Sequence, residues 1–246
     1  MLLPEYLFHV SDRVVELWEQ LNIFAVRDIA RRIIDAGYHM TASADWQIYK
    51  MRESGMSYES IQGAVAKLTE KSEAEVKRIF ENSIIEGYKE DQKIYDAAGV
   101  GGIPFGTDTA SKQLQVYYEQ TNGELRNFTR TTALQGQRAF IEACDEAFIK
   151  VKSGLQSYNQ AIEQAVDKTA KEGLYVKYPG GRRDTVEVAV RRAVMTGVNR
   201  ASIQMTIDTC ERQGTNYVKI SSHLGARIGK TKAANHAGWQ GGIYEL

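Results

Sequence analysis

Cysteine and proline are both scarce in this chain. The 246 residues include two cysteines, Cys144 and Cys210. So few cysteines argue against a disulfide framework and indicate folding under reducing conditions. Three prolines, at Pro4, Pro104 and Pro179, leave long stretches free to form helices.

Long apolar runs are absent as well. No stretch of about 18 apolar residues occurs, so we expect no membrane-spanning segment. Residues 1–8 lack a basic stretch followed by an apolar core, so we expect no signal peptide. Apolar residues make up 43% of the chain and charged residues 25%, which is typical of an ordinary globular protein rather than a disordered one.

The chain has no net charge, but its charges are unevenly distributed. Residues 1–173 hold 20 Lys and Arg against 26 Asp and Glu, a net charge of −6. Residues 174–246 hold 11 against 5, a net charge of +6. The C-terminal third therefore suits an acidic partner surface or nucleic acid. Attraction between the two parts of the chain explains the asymmetry equally well.

Apolar residues recur at helical spacing through the first two-thirds of the chain. The predicted helices cover residues 4–36, 45–53, 57–68, 72–98, 109–151 and 157–172. Ser57 resembles a helix cap, and Ser72 with Glu75 forms a capping box. The Gly-rich segment 99–108 is the clearest linker.

The pattern changes to a period of two after Gly173. The stretch "LYVKYPGGRRD" predicts a strand that ends in a turn at 179–181. A helix is predicted over 185–213, capped by Asp184 with Glu187. The stretch "NYVKISS" alternates again and predicts a second strand.

These elements together predict a mainly α protein. We expect an elongated helical N-terminal region followed by a small α+β C-terminal module. The predicted domains are an N-terminal helical region 1–98, a linker 99–108, a long helix plus a short helix 109–173, and the α+β module 174–246.

The sequence offers no complete metal or catalytic motif. His223 and His236 lie thirteen residues apart with no cysteine near them, whereas a zinc site needs three or four ligands. "SSHLGAR" places a serine beside a histidine, but neighbours on a strand alternate faces, which is poor geometry for a catalytic relay. "GVGG" at 99–102 lacks the Lys-Ser/Thr of a phosphate loop. We therefore predict no catalytic, cofactor or metal site.

Basic residues gather around the predicted turn before the long C-terminal helix. Their guanidinium and ammonium groups suit phosphate or carboxylate partners. The candidate partner or phosphate contacts are Lys177, Arg182, Arg183, Arg191 and Lys219. A nucleic-acid site usually adds stacking aromatics or a recognisable reading helix, and no such helix is present. Solvated charge or protein–protein pairing is therefore the favoured use.

The predicted helix 185–213 also carries a polar stripe at positions i, i+4 and i+7. A polar stripe on a mostly buried helix needs partners, and the C-terminal segment 221–246 is the natural candidate. The predicted structural polar network comprises Arg192, Thr196, Asn199, His223, Arg227, His236 and Trp239.

Three segments resemble the phage minor capsid protein 2 family, which is linked to Mu F-like head-morphogenesis proteins. They read "YYEQTNGELRNFTRTTALQGQRAFIEACDEAF", "YPGGRRDTVEVAVRRAVMTGVNR" and "SSHLGAR…HAGWQGGIYEL". The pieces "DWQIYKMRESG", "KLTEKSEAEVKRIF" and "DQKIYDAAG" match the same family, so the resemblance covers nearly the whole chain. The stretch 178–200 is the most specific.

The resemblance implies a structural protein of a tailed-phage virion with no established enzymatic activity. Such a minor head protein is expected to associate with the portal protein and other head proteins, and to act in head assembly or in genome packaging and delivery. Its expected location is the capsid interior near the portal, after assembly in the host cytoplasm. We expect the acidic helices to dock on the portal or another head protein, and the basic module to face packaged DNA or an acidic neighbour.

Two other functions remain open at the level of the sequence. One is a DNA-binding protein that uses the basic C-terminal module. The other is an enzyme or a toxin-like module.

Overall fold

The computed structural model describes residues 2–37, 43–101, 107–220, 222, 226, 228–231 and 235–245. Long helices account for most of them, which confirms the predicted mainly α class. The helices are α1 (Pro4–His9), α2 (Asp12–Gly37), α3 (Ser43–Ala97), α4 (Thr107–Lys152), α5 (Tyr158–Glu172) and α6 (Val186–Arg212). The strands are β1 (Tyr175–Lys177), β2 (Arg183–Thr185), β3 (Tyr217–Lys219) and β4 (Ile243–Glu245). A short 3-10 helix, His236–Trp239, precedes β4.

The four strands form two separate antiparallel pairs. In the first pair, Val176 of β1 lies opposite Asp184 of β2. In the second pair, Val218 of β3 lies opposite Tyr244 of β4. The sequence pattern predicts β1 and β3, but it does not predict their partners. β2 reads "RDT" and contains no apolar residue, so no alternation of apolar and polar residues marks it as a strand.

The chain folds into two compact units. The terminal unit comprises Met1–Val10, Arg78–Glu119 and Met195–Leu246. The central unit comprises Ser11–Lys77 and Gln120–Val194. Each unit is therefore assembled from stretches that are distant in sequence. The predicted domain boundaries remain predictions.

The core of the central unit contains two tryptophans. Trp18 of α2 is buried and meets Phe128 of α4 edge to face, with ring centroids 6.5 Å apart. Trp46 of α3 is also buried and stacks on Phe148 of α4, with centroids 5.7 Å apart and ring planes 7° apart. Aromatic pairs of this kind add to the stability gained by burying their area.

A close approach of helices in the central unit depends on Gly136 of α4. A Cβ atom at this position would lie 2.5 Å from Cδ1 of Ile61 on α3, which is closer than van der Waals contact allows. Ile61 is fully buried and has little room to move. Glycine therefore permits the two helices to pack at this point.

Polar contacts join α3 and α6 in the terminal unit. The Thr206 hydroxyl donates to Asp91 at 2.9 Å, and the backbone N–H of Leu2 donates to the Ser202 hydroxyl at 3.3 Å. Phe80 is buried beneath Tyr118, with ring centroids 6.1 Å apart. The N-terminal segment is thus fixed to a helix 200 residues away in sequence.

Helix α3 is continuous where the sequence predicts three helices, over 45–53, 57–68 and 72–98. The predicted caps are buried inside the helix. The Ser57 hydroxyl donates to Asp28 of α2 at 3.1 Å instead of capping a helix, and Ser72 lies on the buried face. None of the glycines in α3 has a positive φ, so none of them ends it.

Two other helix boundaries show how local capping decides the fold. Helix α5 ends at Gly173, whose φ is +57°, as the sequence predicts. It begins at a capping box of Ser157 with Gln160, which was not predicted. Helix α6 begins one residue later than predicted, and the backbone N–H of Val188 donates to Thr185 at 3.4 Å. Asp184 is not its cap, because its carboxylate pairs with arginines.

Candidate functional site

The site is built on the hairpin formed by β1 and β2 in the central unit. Its turn is closed by the backbone N–H of Tyr178, which donates to the carbonyl of Arg182 at 2.9 Å. Gly181 donates back to the Tyr178 carbonyl at 2.9 Å and has a φ of +85°, a conformation that favours glycine. The turn residues "PGG" therefore fix the hairpin where the sequence predicts a turn.

The register of the hairpin separates its side chains into two faces. Val176 and Asp184 are direct partners and share one face, on which Val176 is buried. Lys177 lies directly opposite Arg183 on the other face, and both side chains are exposed. Side chains of direct partners in an antiparallel pair lie close together, so this face presents two adjacent positive charges.

Asp184 anchors the hairpin to the first turns of α6. Its carboxylate pairs with Arg182 at 3.0 Å and with Arg192 at 2.7 Å. Arg192 also donates to the Tyr178 hydroxyl at 3.3 Å. Partial burial raises the pKa of Asp184, but hydrogen bonds from Arg192 and Arg182 outweigh that effect and hold the pKa below its usual value.

Two amide side chains support the start of the hairpin. Oδ1 of Asn22 on α2 accepts the backbone N–H of Leu174 at 2.9 Å, and its Nδ2 donates to Glu187 of α6 at 2.8 Å. Oε1 of Gln135 on α4 accepts the backbone N–H of Tyr175 at 2.8 Å. The β1 strand is thus held from two helices as well as by β2.

Some of the predicted partner contacts form ion pairs with described residues, and others do not. Arg182 pairs with Asp184, and Arg191 pairs with Asp12 at 2.6 Å. Lys177 and Arg183 form no ion pair with any residue that the structure describes. The Arg183 guanidinium instead lies over the ring of Tyr175, 4.5 Å from its centroid.

Lys219 belongs to a different compact unit from the other predicted contacts. It is an exposed residue of β3 in the terminal unit, directly opposite Ile243 of β4. The other four predicted contacts all belong to the central unit.

A groove of about 480 Å³ lies beside the hairpin. It is bordered by α4, by the C-terminal end of α5 and by the exposed face of the hairpin. Its basic residues are Arg138, Lys168, Lys177 and Arg183, its acidic residues are Glu142 and Glu172, and its apolar residues include Val26, Leu134 and Ala139. Arg138 is exposed and forms no ion pair among the described residues, whereas Lys168 pairs with Glu146 at 2.6 Å.

The predicted polar network of α6 and the C-terminal segment stays a prediction. His223 and Arg227 lie outside the described residues. Arg192 has Asp184 and Tyr178 as its partners, and Thr196 is exposed, so the stripe is less buried than the prediction assumes.

The described part of the C-terminal segment makes contacts of its own. The Trp239 carbonyl accepts the Tyr244 hydroxyl at 3.2 Å, and the rings of these two residues lie 5.1 Å apart. His236 is exposed in the 3-10 helix. Gly241 donates to the carbonyl of Ile220 at 2.9 Å, which extends the pairing of β3 with β4.

A buried charge network in the central unit was not predicted from the sequence. Asp28 accepts hydrogen bonds from Arg32 at 2.8 Å and from Ser57 at 3.1 Å, and Arg32 donates to Glu53 at 2.6 Å. All four residues are buried. Burial lowers the pKa of Arg32, but the hydrogen bonds and charges of Asp28 and Glu53 raise it above its usual value. The i, i+4 spacing of Asp28 and Arg32 is the available signal.

No three His, Cys, Asp or Glu side chains among the described residues are placed to hold a metal ion. None of the described helices is long and apolar enough to cross a membrane.

Comparison with known families agrees with the resemblance found in the sequence. A search of curated proteins and a search of solved structures gave no significant match. The model of the family described as phage minor capsid protein 2 matches residues 2–246, which is nearly the entire chain. The chain therefore belongs to the phage minor capsid protein 2 family and is a structural protein of the phage head.

Proposed function

We propose that this head protein associates with the portal protein and acts in head assembly or in genome packaging and delivery. The role uses binding alone and includes no catalytic step. Membership in a minor capsid family supports a place among other head proteins in the virion. The observation that carries the proposal is the exposed hairpin face, where Lys177 and Arg183 lie side by side without ion-pair partners among the described residues.

Such a face suits an acidic protein surface. Charge complementarity speeds the encounter of two proteins and selects the correct partner. Asp184, Asn22 and Gln135 hold the hairpin in place before any partner binds. A fixed binding face loses less conformational entropy on association than a flexible one.

A second surface of the central unit supports contact with another protein. A groove of about 490 Å³ lies between α2 and α3. Phe24 is 42% exposed at this groove, and Gly63 leaves open space beside it. Lys67 and Lys71 border the groove. Exposed aromatic and apolar groups bordered by charge are typical of protein interfaces.

Contact with packaged DNA is the second candidate function, and the +6 charge of residues 174–246 favours it. Ion pairs within the protein reduce the positive charge that is available to bind phosphates. Arg182 and Arg192 both pair with Asp184, and Arg191 pairs with Asp12. Binding to duplex DNA weakens steeply with salt. Retention of the purified chain on duplex DNA at rising salt therefore tests this alternative.

The decisive experiment is co-purification with the portal protein encoded in the same phage genome. We expect the full chain to retain the portal protein, and cryo-EM of assembled heads to show its density at the portal vertex. Heads made without this protein should be malformed or should fail to package or deliver DNA. A portal protein that is not retained, together with density placed elsewhere in the head, would contradict the proposal.

A further inference from the structure

We propose that the groove beside the hairpin binds an extended acidic peptide segment of another head protein. In this complex a carboxylate lies among Lys177, Arg183 and Arg138, and a neighbouring apolar side chain packs against Leu134. This inference rests on the proposed function, because it names the chemistry of the partner.

The charges of the groove favour an anionic ligand. Like charges that lie directly opposite each other on paired strands destabilise the pair. Lys177 and Arg183 occupy such positions, and Arg138 lines the same groove. None of the three forms an ion pair with a described residue, whereas Lys168 of the same groove pairs with Glu146. An anion placed among the three unpaired cations relieves their repulsion.

The basic face of the groove is held in a defined position. Arg183 is held over Tyr175 by the cation–π contact at 4.5 Å, so its guanidinium has a preferred position. The backbone N–H of Tyr175 is bonded to Gln135, which also lines the groove. A planar guanidinium in a defined position suits a carboxylate, which it can bind through two hydrogen bonds.

The groove suits a peptide better than duplex DNA. Glu142 and Glu172 line the groove and would repel a continuous chain of phosphates more strongly than a peptide whose carboxylates alternate with apolar residues. Leu134 is 40% exposed at the groove and offers an apolar contact that a phosphate backbone does not use. A peptide can present a carboxylate to the cations and an apolar side chain to Leu134. The volume of about 480 Å³ lies within the range of ordinary ligand pockets.

Fluorescence anisotropy with short labelled peptides tests this chemistry directly. The full chain is titrated against a peptide of alternating Glu and Leu, against its Gln and Leu counterpart, and against a short DNA duplex. We expect the Glu and Leu peptide to bind most tightly. The double variant K177E/R183E should weaken its binding by about tenfold or more, since it reverses two charges at the contact.

Two further variants separate the groove from general charge effects. R138E reverses the charge that α4 contributes to the groove and leaves the hairpin sequence intact. It should therefore weaken binding even if the double variant folds poorly. K219E is a single charge reversal like R138E, but on an exposed strand of the terminal unit, and it should leave binding unchanged. Equal losses in K219E and R138E, equal affinity for the two peptides, or preferential binding of DNA would each overturn the inference.

The same variants distinguish this inference from the proposed portal association. If the wild type and the groove variants retain the portal protein equally and the acidic peptide does not bind, the groove inference is overturned, while the portal association stands. If the acidic peptide binds as expected but the portal protein is not retained, the groove inference is supported. The portal association would then be the part that fails.

Discussion

Asn22 of α2 accepts the backbone N–H of Leu174 at 2.9 Å and so joins the first long helix to the residue that precedes the hairpin. The same side chain donates to Glu187 at the start of α6. Gly173 makes this possible, because a Cβ there would lie 3.3 Å from the Asn22 amide and its φ of +57° favours glycine. One amide thus aligns three segments that are far apart in sequence.

The first prediction follows from this amide. N22A should lower the free energy of unfolding by about 1–3 kcal/mol, because it leaves the Leu174 N–H without its acceptor in a partly buried position. Urea denaturation followed by far-UV circular dichroism measures the change. Q20A, an exposed position on the same helix, should change stability by less than about 0.5 kcal/mol. Equal effects of the two substitutions would contradict the role given to Asn22.

The second prediction compares two glycines of α4. G136A should destabilise the protein by about 1–3 kcal/mol, because its methyl group overlaps Cδ1 of the buried Ile61. G123A should instead stabilise it by about 0.5–1 kcal/mol, because nothing lies within 4 Å of a Cβ atom there and alanine favours the helix. Thermal unfolding of both variants checks the opposite signs. The packing argument fails if G136A is as stable as G123A.

The third prediction concerns the buried charge network. R32L should lower the free energy of unfolding by about 3–5 kcal/mol, because Asp28 and Glu53 would stay buried without their shared cation. R31L should cost less than about 1 kcal/mol, since Arg31 also contacts Asp28 but its side chain is 66% exposed. Denaturant titrations of the two variants provide the comparison. Similar losses would show that the network contributes little.

The fourth prediction concerns acid pH. The pKa of Asp184 is lowered in the fold, and so is that of Glu146, chiefly through hydrogen bonds from Lys150 and Lys168. A carboxylate whose pKa is lowered in the folded state stabilises the protein, and this stabilisation is fully present above the unfolded pKa of about 4. The stabilisation is lost as pH falls through the folded-state pKa. The wild type should therefore lose stability below about pH 4.

D184N isolates the contribution of one carboxylate to this behaviour. The variant should be less stable than the wild type at neutral pH, because Arg182 and Arg192 lose their charged partner. The difference should narrow as pH falls, since the wild-type carboxylate is then protonated too. Melting temperatures measured from pH 7 down to about pH 3 check this, given the ordinary aspartate pKa of about 3.9. A difference that stays constant with pH would contradict the assignment.

Local signals predicted the parts of the fold that depend on nearby residues. The sequence predicts that Gly173 ends α5 and that "PGG" forms the turn of the hairpin, and the structure confirms both. The positions of Lys177 and Arg183 around that turn also make them candidate partner contacts, which stay a prediction. Each of these features is decided within a few residues of chain.

Features that depend on distant residues could not be predicted in this way. Ser57 and Ser72 resemble caps, but α3 continues through both because tertiary packing buries them. Asp184 was assigned to a helix cap, yet its carboxylate is bound by Arg192 two turns further along α6 and by Arg182 of the turn. Sequence periodicity does not encode which side chains meet across the fold. For the same reason, the groove beside the hairpin could not be predicted from the sequence.

The burial of Cys144 and Cys210 has a practical consequence for experiments on assembled heads. Burial raises the pKa of the Cys144 thiol to about 12, so it is almost entirely protonated and unreactive towards maleimides at neutral pH. A cysteine introduced at Leu155, which is 76% exposed, should therefore react much faster than the native thiols. A fluorescent dye or a gold label could then be attached at one chosen position in the otherwise unaltered protein, so that its position could be followed during capsid maturation.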